Sequence, residues 1–249
     1  MKQKNTNMSL QVIYFLIAAF LSTYSFAKEK EQINLLLEKA KNGDLVATYK
    51  LGLIFYNGNN VTRDLKKAEI WFHEAAQKGK TEAYFYLGEL YFKKQKYFKA
   101  AKWFKKSAKT GEVNAQFYLG LMHMKGHGVQ KDYYKAIKLY KIAANKGNAR
   151  AQCSLGTLYS LGLTSVSFSF FLDRGLPLPK DSWNLKAALI LYRQSAKQGY
   201  NIAQYKLGKI YLAGKGIPRD IVKAKKWISK AAENGNEEAK RLIHIINDL

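Results

Sequence analysis

The stretch AQFYLGLMHMKGHGVQKDYYKAIKLYKIAANKG, residues 115–147, decides the fold. Its opening phrase is Ala, three residues, Leu-Gly, two residues and a ring. The same phrase begins at Ala47, Ala83, Ala115, Ala151 and Ala203, with Leu-Gly at Leu51-Gly52, Leu87-Gly88, Leu119-Gly120, Leu155-Gly156 and Leu207-Gly208. The ring is Phe55, Tyr91, Tyr159 or Tyr211, and His123 in the third copy. A second phrase follows in each copy: Ala, two residues, a large apolar residue, a small pair, then Gly. It runs from Ala68, Ala100, Ala136, Ala188 and Ala224, with Trp71, Trp103, Leu139, Leu191 and Trp227 as the large residue. The terminal glycines are Gly79, Gly111, Gly147, Gly199 and Gly235. Self-similarity at such a period predicts stacked units that bury their faces on one another.

Both phrases have helical spacing. In the first, apolar offsets 0, 4, 7 and 8 from the leading Ala share one face at about 100° per residue. The Gly at offset 5 admits the backbone of a neighbouring helix. In the second, the small residues allow close approach, and the large residue three positions after the Ala is expected to fill the gap. Asp64, Asp132, Asn184 and Asp220 stand four residues ahead of that Ala and predict helix N-caps. Lys96 holds the same place in the second copy and cannot cap. Each closing Gly marks a C-cap. The spacing from Ala83 to Ala115 is four residues short, and that from Ala151 to Ala203 sixteen residues long, against 36 elsewhere.

These columns resemble the Sel-one-like repeat family, relatives of the tetratricopeptide repeats. The expected fold is all-α, a right-handed α-solenoid of helix–loop–helix repeats. The units are expected at 47–82, 83–114, 115–150, 151–202 and 203–238, with capping helices in 28–46 and 239–249. The resemblance implies a concave groove lined by the first helices at the offsets opposite their apolar face. The groove residues are then Tyr49, Lys50, Phe85, Tyr86, Phe92, Phe117, Tyr118, Met124, Tyr205 and Lys206. Aromatic side chains supply large contact area at low entropy cost. Those at offset 2 (Tyr49, Phe85, Phe117 and Tyr205) equally suit a core between repeats.

Residues 1–27 read as a cleaved secretory signal: Lys2 and Lys4, the apolar run Leu10 to Leu21, then Ser25-Phe26-Ala27. A periplasmic or secreted bacterial protein is expected, not an integral membrane protein. The formal net charge is +24, and +22 without the signal. The lysines read as spread through both helices. A protein or peptide partner with acidic groups is expected, or an anionic envelope polymer; export argues against nucleic acid. Cys153 is the single cysteine, so no internal disulfide forms.

The insertion near 162–182 holds Ser165 to Phe170 in a strand-like alternation. Phe168 and Phe170 would contact a partner or fold over the groove. No catalytic, cofactor or metal constellation emerges. His73, His123, His127 and His244 lack ligand spacing. The resemblance includes relatives described as acting on β-lactams, but Lys109-Thr110-Gly111 falls at a repeat turn, and Ser25 to Lys28 spans the cleavage site. The reading is an interaction adaptor for envelope assembly or host contact. A glycan-binding envelope protein is the alternative, and a cell-wall or β-lactam hydrolase a weaker one.

Overall fold

The computed structural model describes residues 12, 14–16, 28, 30–59, 61–162 and 184–247. They form helix after helix: α1 (residues 30–41), α2 (Leu45–Asn57), α3 (Leu65–Gln77), α4 (Glu82–Lys93), α5 (Tyr97–Lys109) and α6 (Val113–Lys125). Then follow α7 (Tyr133–Asn145), α8 (Ala149–Ser160), α9 (Leu185–Lys197), α10 (Asn201–Ala213), α11 (Ile221–Glu233) and α12 (Glu237–Asn247). The fold is all-α, a solenoid of helix–loop–helix repeats. Even-numbered helices from α2 to α10 carry the first phrase and odd-numbered ones from α3 to α11 the second. The chain divides into two compact units, Met1–Leu90 and Tyr91–Leu249. In the first, α2 packs on α3. In the second, α5 packs on α6, α6 on α7, and so on through α12, each helix on its neighbours in sequence.

The leading alanines of both phrases are 0–2% exposed in all five repeats. Helix propensity alone does not hold 12- and 13-residue helices together in water, so this burial supplies their stability. The capping expectations hold. Asp64 accepts from Lys66 N and Lys67 N, Asp132 from Lys135 N, Asn184 from Ala187 N and Asp220 from Lys223 N. Lys96 makes no side-chain cap bond. Gly79, Gly111, Gly147, Gly199 and Gly235 all have φ between 82 and 93°, where an L side chain is strained.

The gap-filling residue is not the expected one. Phe72, Phe104, Tyr140, Tyr192 and Ile228 fill it, one position beyond Trp71, Trp103, Leu139, Leu191 and Trp227. The five fillers are 0–2% exposed, whereas the expected five are half-buried. The reason is angular. Offset 4 falls between the small residues at offsets 0, 7 and 8 on the helical wheel, and offset 3 falls at their edge. The filler rests on the phrase-one Gly. A Cβ at Gly208 would lie 2.5 Å from Ile228 Cγ1, and one at Gly52 2.6 Å from the Phe72 ring.

Every repeat closes its hairpin with one backbone bond. The residue at the second helix's N-cap donates its N–H to the carbonyl of the residue at offset 8 of the first. The pairs are Asp64 to Phe55 (2.9 Å), Lys96 to Tyr91 (2.9 Å), Asp132 to His123 (2.9 Å), Asn184 to Tyr159 (3.1 Å) and Asp220 to Tyr211 (3.0 Å). The shortened and lengthened repeats are therefore accommodated between fixed ends, and the helix pair keeps its geometry. Phe168 and Phe170, like nearly all of residues 1–27, lie outside the described residues.

Polar relays join neighbouring repeats. Buried Gln152 and Gln204 donate to Ala144 O and Ala196 O, the ends of the preceding second helices. Their Oε1 atoms accept from Gln198 Nε2 (2.8 Å) and Asn234 Nδ2 (2.9 Å). Gln116 holds the same column, but its buried Oε1 has no donor among the described residues. Lys146 stands where Gln198 and Asn234 stand, and its Nζ donates to Gly111 O instead.

Candidate functional site

The sequence-predicted groove residues divide into two sets. In the first unit Tyr86 stacks on buried Phe72 with centroids 4.8 Å apart and planes 12° apart. Tyr49, Tyr56 and Phe85 surround it at 5.3–6.0 Å. Tyr56 donates its hydroxyl to Glu89 Oε2 at 2.6 Å, and the Lys80 ammonium stands 5.5 Å from the Tyr49 ring. Lys50 is exposed. In the second unit Tyr118 repeats the stack on Phe104, at 4.9 Å and 2°, with Phe92 and Phe117 edge-on at 5.5 Å. Arg150 donates to the Tyr118 hydroxyl at 3.1 Å.

The offset-2 residues show how far these columns reach into the core. Phe117 is 7% exposed and packs with Ile137, Tyr140 and Ala143. It takes the inter-repeat place and offers a partner little area. Cys153, in the same column, is 4% exposed, and burial pushes its thiol up to about 11 despite Lys206 nearby. Tyr49, Phe85 and Tyr205 are half-buried, and Met124 packs against the Phe117 cluster from its rim.

Tyr205 and Lys206 lie at a cavity of about 540 Å³ in the second unit. Its walls combine the end of α8 (Ser160, Leu161) with the face of α10 that carries Tyr205, Lys206 and Lys209. These are positions 2, 3, 6, 9 and 10 of two successive first helices, the set opposite the apolar face. Leu185, Ile202 and Ile210 add apolar surface. Tyr192 forms part of the wall, with its hydroxyl donating to Thr157 Oγ1 at 3.1 Å. Burial raises the Tyr192 pKa, which keeps it a neutral donor. Lys206, Lys209 and Lys215 bring three ammonium groups, and among the described residues Glu238 is the only carboxylate of the lining. Among the described residues neither Lys206 nor Lys209 enters an ion pair; Lys209 lies over the Tyr205 ring at 5.4 Å.

Of this lining the sequence-predicted groove residues include only Tyr205 and Lys206; Leu185, Tyr192, Asn236 and Glu238 were missed. The period of one helix does not show which residues of later helices lean over it. Among the described residues no group of three or more His, Cys, Asp or Glu side chains could hold a metal ion. Lys109-Thr110-Gly111 forms the α5 terminus, with Thr110 Oγ1 donating to Ser107 O.

Five copies of one repeat model, described as the Sel1 repeat, match residues 45–80, 81–111, 113–148, 149–200 and 201–236. The chain belongs to the Sel1 repeat family. Among solved structures, this Sel1 repeat chain is similar to a Sel1 repeat protein from Oxalobacter formigenes. The identity is 29%, with a TM-score of 0.65, over 80% of this chain and 75% of that one. It is also similar to a protective antigen present in uropathogenic Escherichia coli strains, at 27% identity and a TM-score of 0.50, over 87% and 59% of the two chains. A curated relative is the ERAD-associated E3 ubiquitin-protein ligase component HRD3B of Arabidopsis thaliana, 32% identical over 114 residues. That match covers 43% of this chain and spans 18% of the plant protein's length. No helix among the described residues is long and apolar enough to cross a membrane.

Proposed function

We propose that this Sel1 repeat protein is an exported bacterial adaptor that binds an acidic, partly apolar peptide segment of a partner protein. The cavity between α8, α9 and α10 takes the segment. The observation that carries the reading is the union of Lys206 and Lys209, which enter no ion pair among the described residues, with the apolar walls Leu185, Ile202 and Ile210 in one open site. A carboxylate entering it meets three ammonium groups against one carboxylate, Glu238, and an apolar side chain beside it leaves water. The plant relative's description as a component of a ligase assembly supports an assembling role, and the N-terminal 27 residues support export. Glycan stacking is less favoured. Tyr86 and Tyr118 each already turn a ring face onto a phenylalanine, which covers one of the faces a sugar would use.

The test is a crosslinking pull-down from the native envelope, read by mass spectrometry, with the native chain and with Lys206→Glu, Lys209→Glu. Partners enriched by the native chain are expected to be lost with the variant while its helical content and unfolding midpoint are unchanged. A partner set identical for the two proteins refutes the assignment of the site.

A further inference from the structure

The lysines are not spread evenly once the helices are placed. Among helices of the second unit, α5 carries five lysines or arginines, α7 three, α9 three and α11 four, with Glu233 the only acid among them. The first-phrase helices α6, α8 and α10 carry only Lys125, Arg150, Lys206 and Lys209. This corrects the expectation of even distribution. In the second unit the positive charge sits mainly on the second helix of each repeat.

A finer pattern lies within those helices. Two positions flank each buried phrase-two alanine at −2 and +2, pointing opposite to it and adjacent on the helix surface. In all five repeats one of the two is lysine and the other is a large apolar residue. The couples are Lys66 and Ile70, Phe98 and Lys102, Tyr134 and Lys138, Lys186 and Ile190, Val222 and Lys226. Each apolar member is exposed: Ile70 64%, Phe98 76%, Tyr134 64%, Ile190 55% and Val222 79%. Among the described residues Lys102, Lys138, Lys186 and Lys226 enter no ion pair. A cavity of about 440 Å³ opens between α5, α6 and α7, lined by Phe98, Lys102, Lys105, His123, Val129 and Lys135, the last ion-paired with Asp132 at 3.0 Å.

We propose that the outer face of α5, α7, α9 and α11 docks on an anionic phospholipid bilayer. Lysine ammonium groups would meet lipid phosphates while Phe98, Tyr134, Ile190 and Val222 enter the headgroup–acyl boundary, the division of labour that interfacial binding needs. Single-sign charge with so few acids carries no register for a specific acidic protein. Ile190 and Val222 cannot stack on bases, which disfavours nucleic acid. The Phe98 cavity has room for one headgroup beside Lys102 and Lys105. None of the lysine–apolar couples lines the peptide site, although α9 contributes to both, so either reading stands without the other.

The experiment is co-sedimentation of the full chain with vesicles of phosphatidylcholine alone and of phosphatidylcholine with phosphatidylglycerol. The native chain is expected to prefer the anionic vesicles by about tenfold or more, and to lose that preference at high salt. Lys102→Glu, Lys138→Glu, Lys226→Glu should weaken anionic-vesicle binding roughly a hundredfold. Phe98→Ser, Tyr134→Ser, Ile190→Ser should weaken it about tenfold or more, the sites being exposed enough for the fold to survive. Lys206→Glu, Lys209→Glu is the control and should stay within about twofold, because those charges lie on α10, a first-phrase helix. Circular dichroism melting verifies that each variant is folded. Equal binding to both vesicle types, or a control variant that loses as much as the outer-face variant, overturns the proposal. So does full binding by the serine variant, which would mark the face as a general polyanion surface.

Discussion

Replacing Gly208 with alanine puts a methyl group where Ile228 already sits. The new Cβ would lie 2.5 Å from Ile228 Cγ1 and 3.3 Å from Ala224 O. Ile228 is fully buried among Ala231, Ala239 and Ile246, so it cannot swing aside without repacking that cluster. Overpacking costs about 1–3 kcal/mol, and a 2.5 Å approach to a fully buried side chain belongs at the upper end, about 2–3 kcal/mol. Alanine recovers about 1 kcal/mol of helix propensity inside α10. The expected net loss is about 1–2 kcal/mol, read as a lowered urea midpoint of the helical circular dichroism signal. Gly156→Ala is the internal standard. Its Cβ would meet Ala188 O and the Tyr192 ring at 3.2 Å, so a shift of a few tenths of an ångström suffices and the change should be near zero. A second variant checks the cause. Ile228→Ala alone should cost about 2–5 kcal/mol, and Gly208→Ala added to it should cost less than in the native background because its methyl enters the space left. Additive losses, or a Gly208→Ala protein as stable as the native one, would refute steric contact as the reason for glycine.

Three further outcomes follow from local geometry. Lys146→Gln should raise the unfolding midpoint, with a gain of about 1 kcal/mol, by giving buried Gln116 Oε1 the donor that Gln198 and Asn234 give elsewhere; a lowered midpoint contradicts the relay. Lys96→Asp should stabilise α5 by about 1 kcal/mol, since its N-cap has no side-chain bond, and no gain in a thermal melt removes that account. Asp44, Asp64 and Asp132 are held below the ordinary carboxylate value chiefly by the N–H groups they cap, and Asp220 chiefly by the Lys223 ammonium and then by its N–H. Their contribution is therefore complete above the unfolded value of about 3.9 and is lost as pH falls through the lower native values. Asp132→Asn with Asp220→Asn should flatten the acid limb of stability against pH, and an unaltered limb rules the caps out as its source.

Much of the fold was legible because it is written five times. The alanine columns, the Asp and Asn caps and the closing glycines each depend on one helix or one turn, where period and cap chemistry suffice. What depends on two helices together was read less well. Trp71 and Trp103 look like the fillers by size, yet the wheel puts Phe72 and Phe104 at the centre of the small-residue face. Phe117 and Cys153 share a column with half-buried Tyr49 and Tyr205; the depth of that column varies with how the next repeat leans on it. Of the cavity, Tyr205 and Lys206 were found from their own helix. Tyr192 and Glu238 arrive from other elements, with no signal in the α10 pattern. The charged helices were hidden for a similar reason, since counting lysines along the chain mixes first and second helices.

The single bond from each second-helix N-cap back to the offset-8 carbonyl separates what is conserved in shape from what is free in length. Four residues or twenty-four can pass between Tyr91 and Lys96, or between Tyr159 and Asn184, and the donor still meets its acceptor at 2.9–3.1 Å. Loop closure grows only logarithmically with length, so long connections cost little more than short ones. Each hairpin mouth is thus a docking bay for foreign sequence. A tag, a reporter peptide or a borrowed recognition loop spliced between Phe55 and Asp64 or between Tyr211 and Asp220 should ride on the scaffold without disturbing its neighbours.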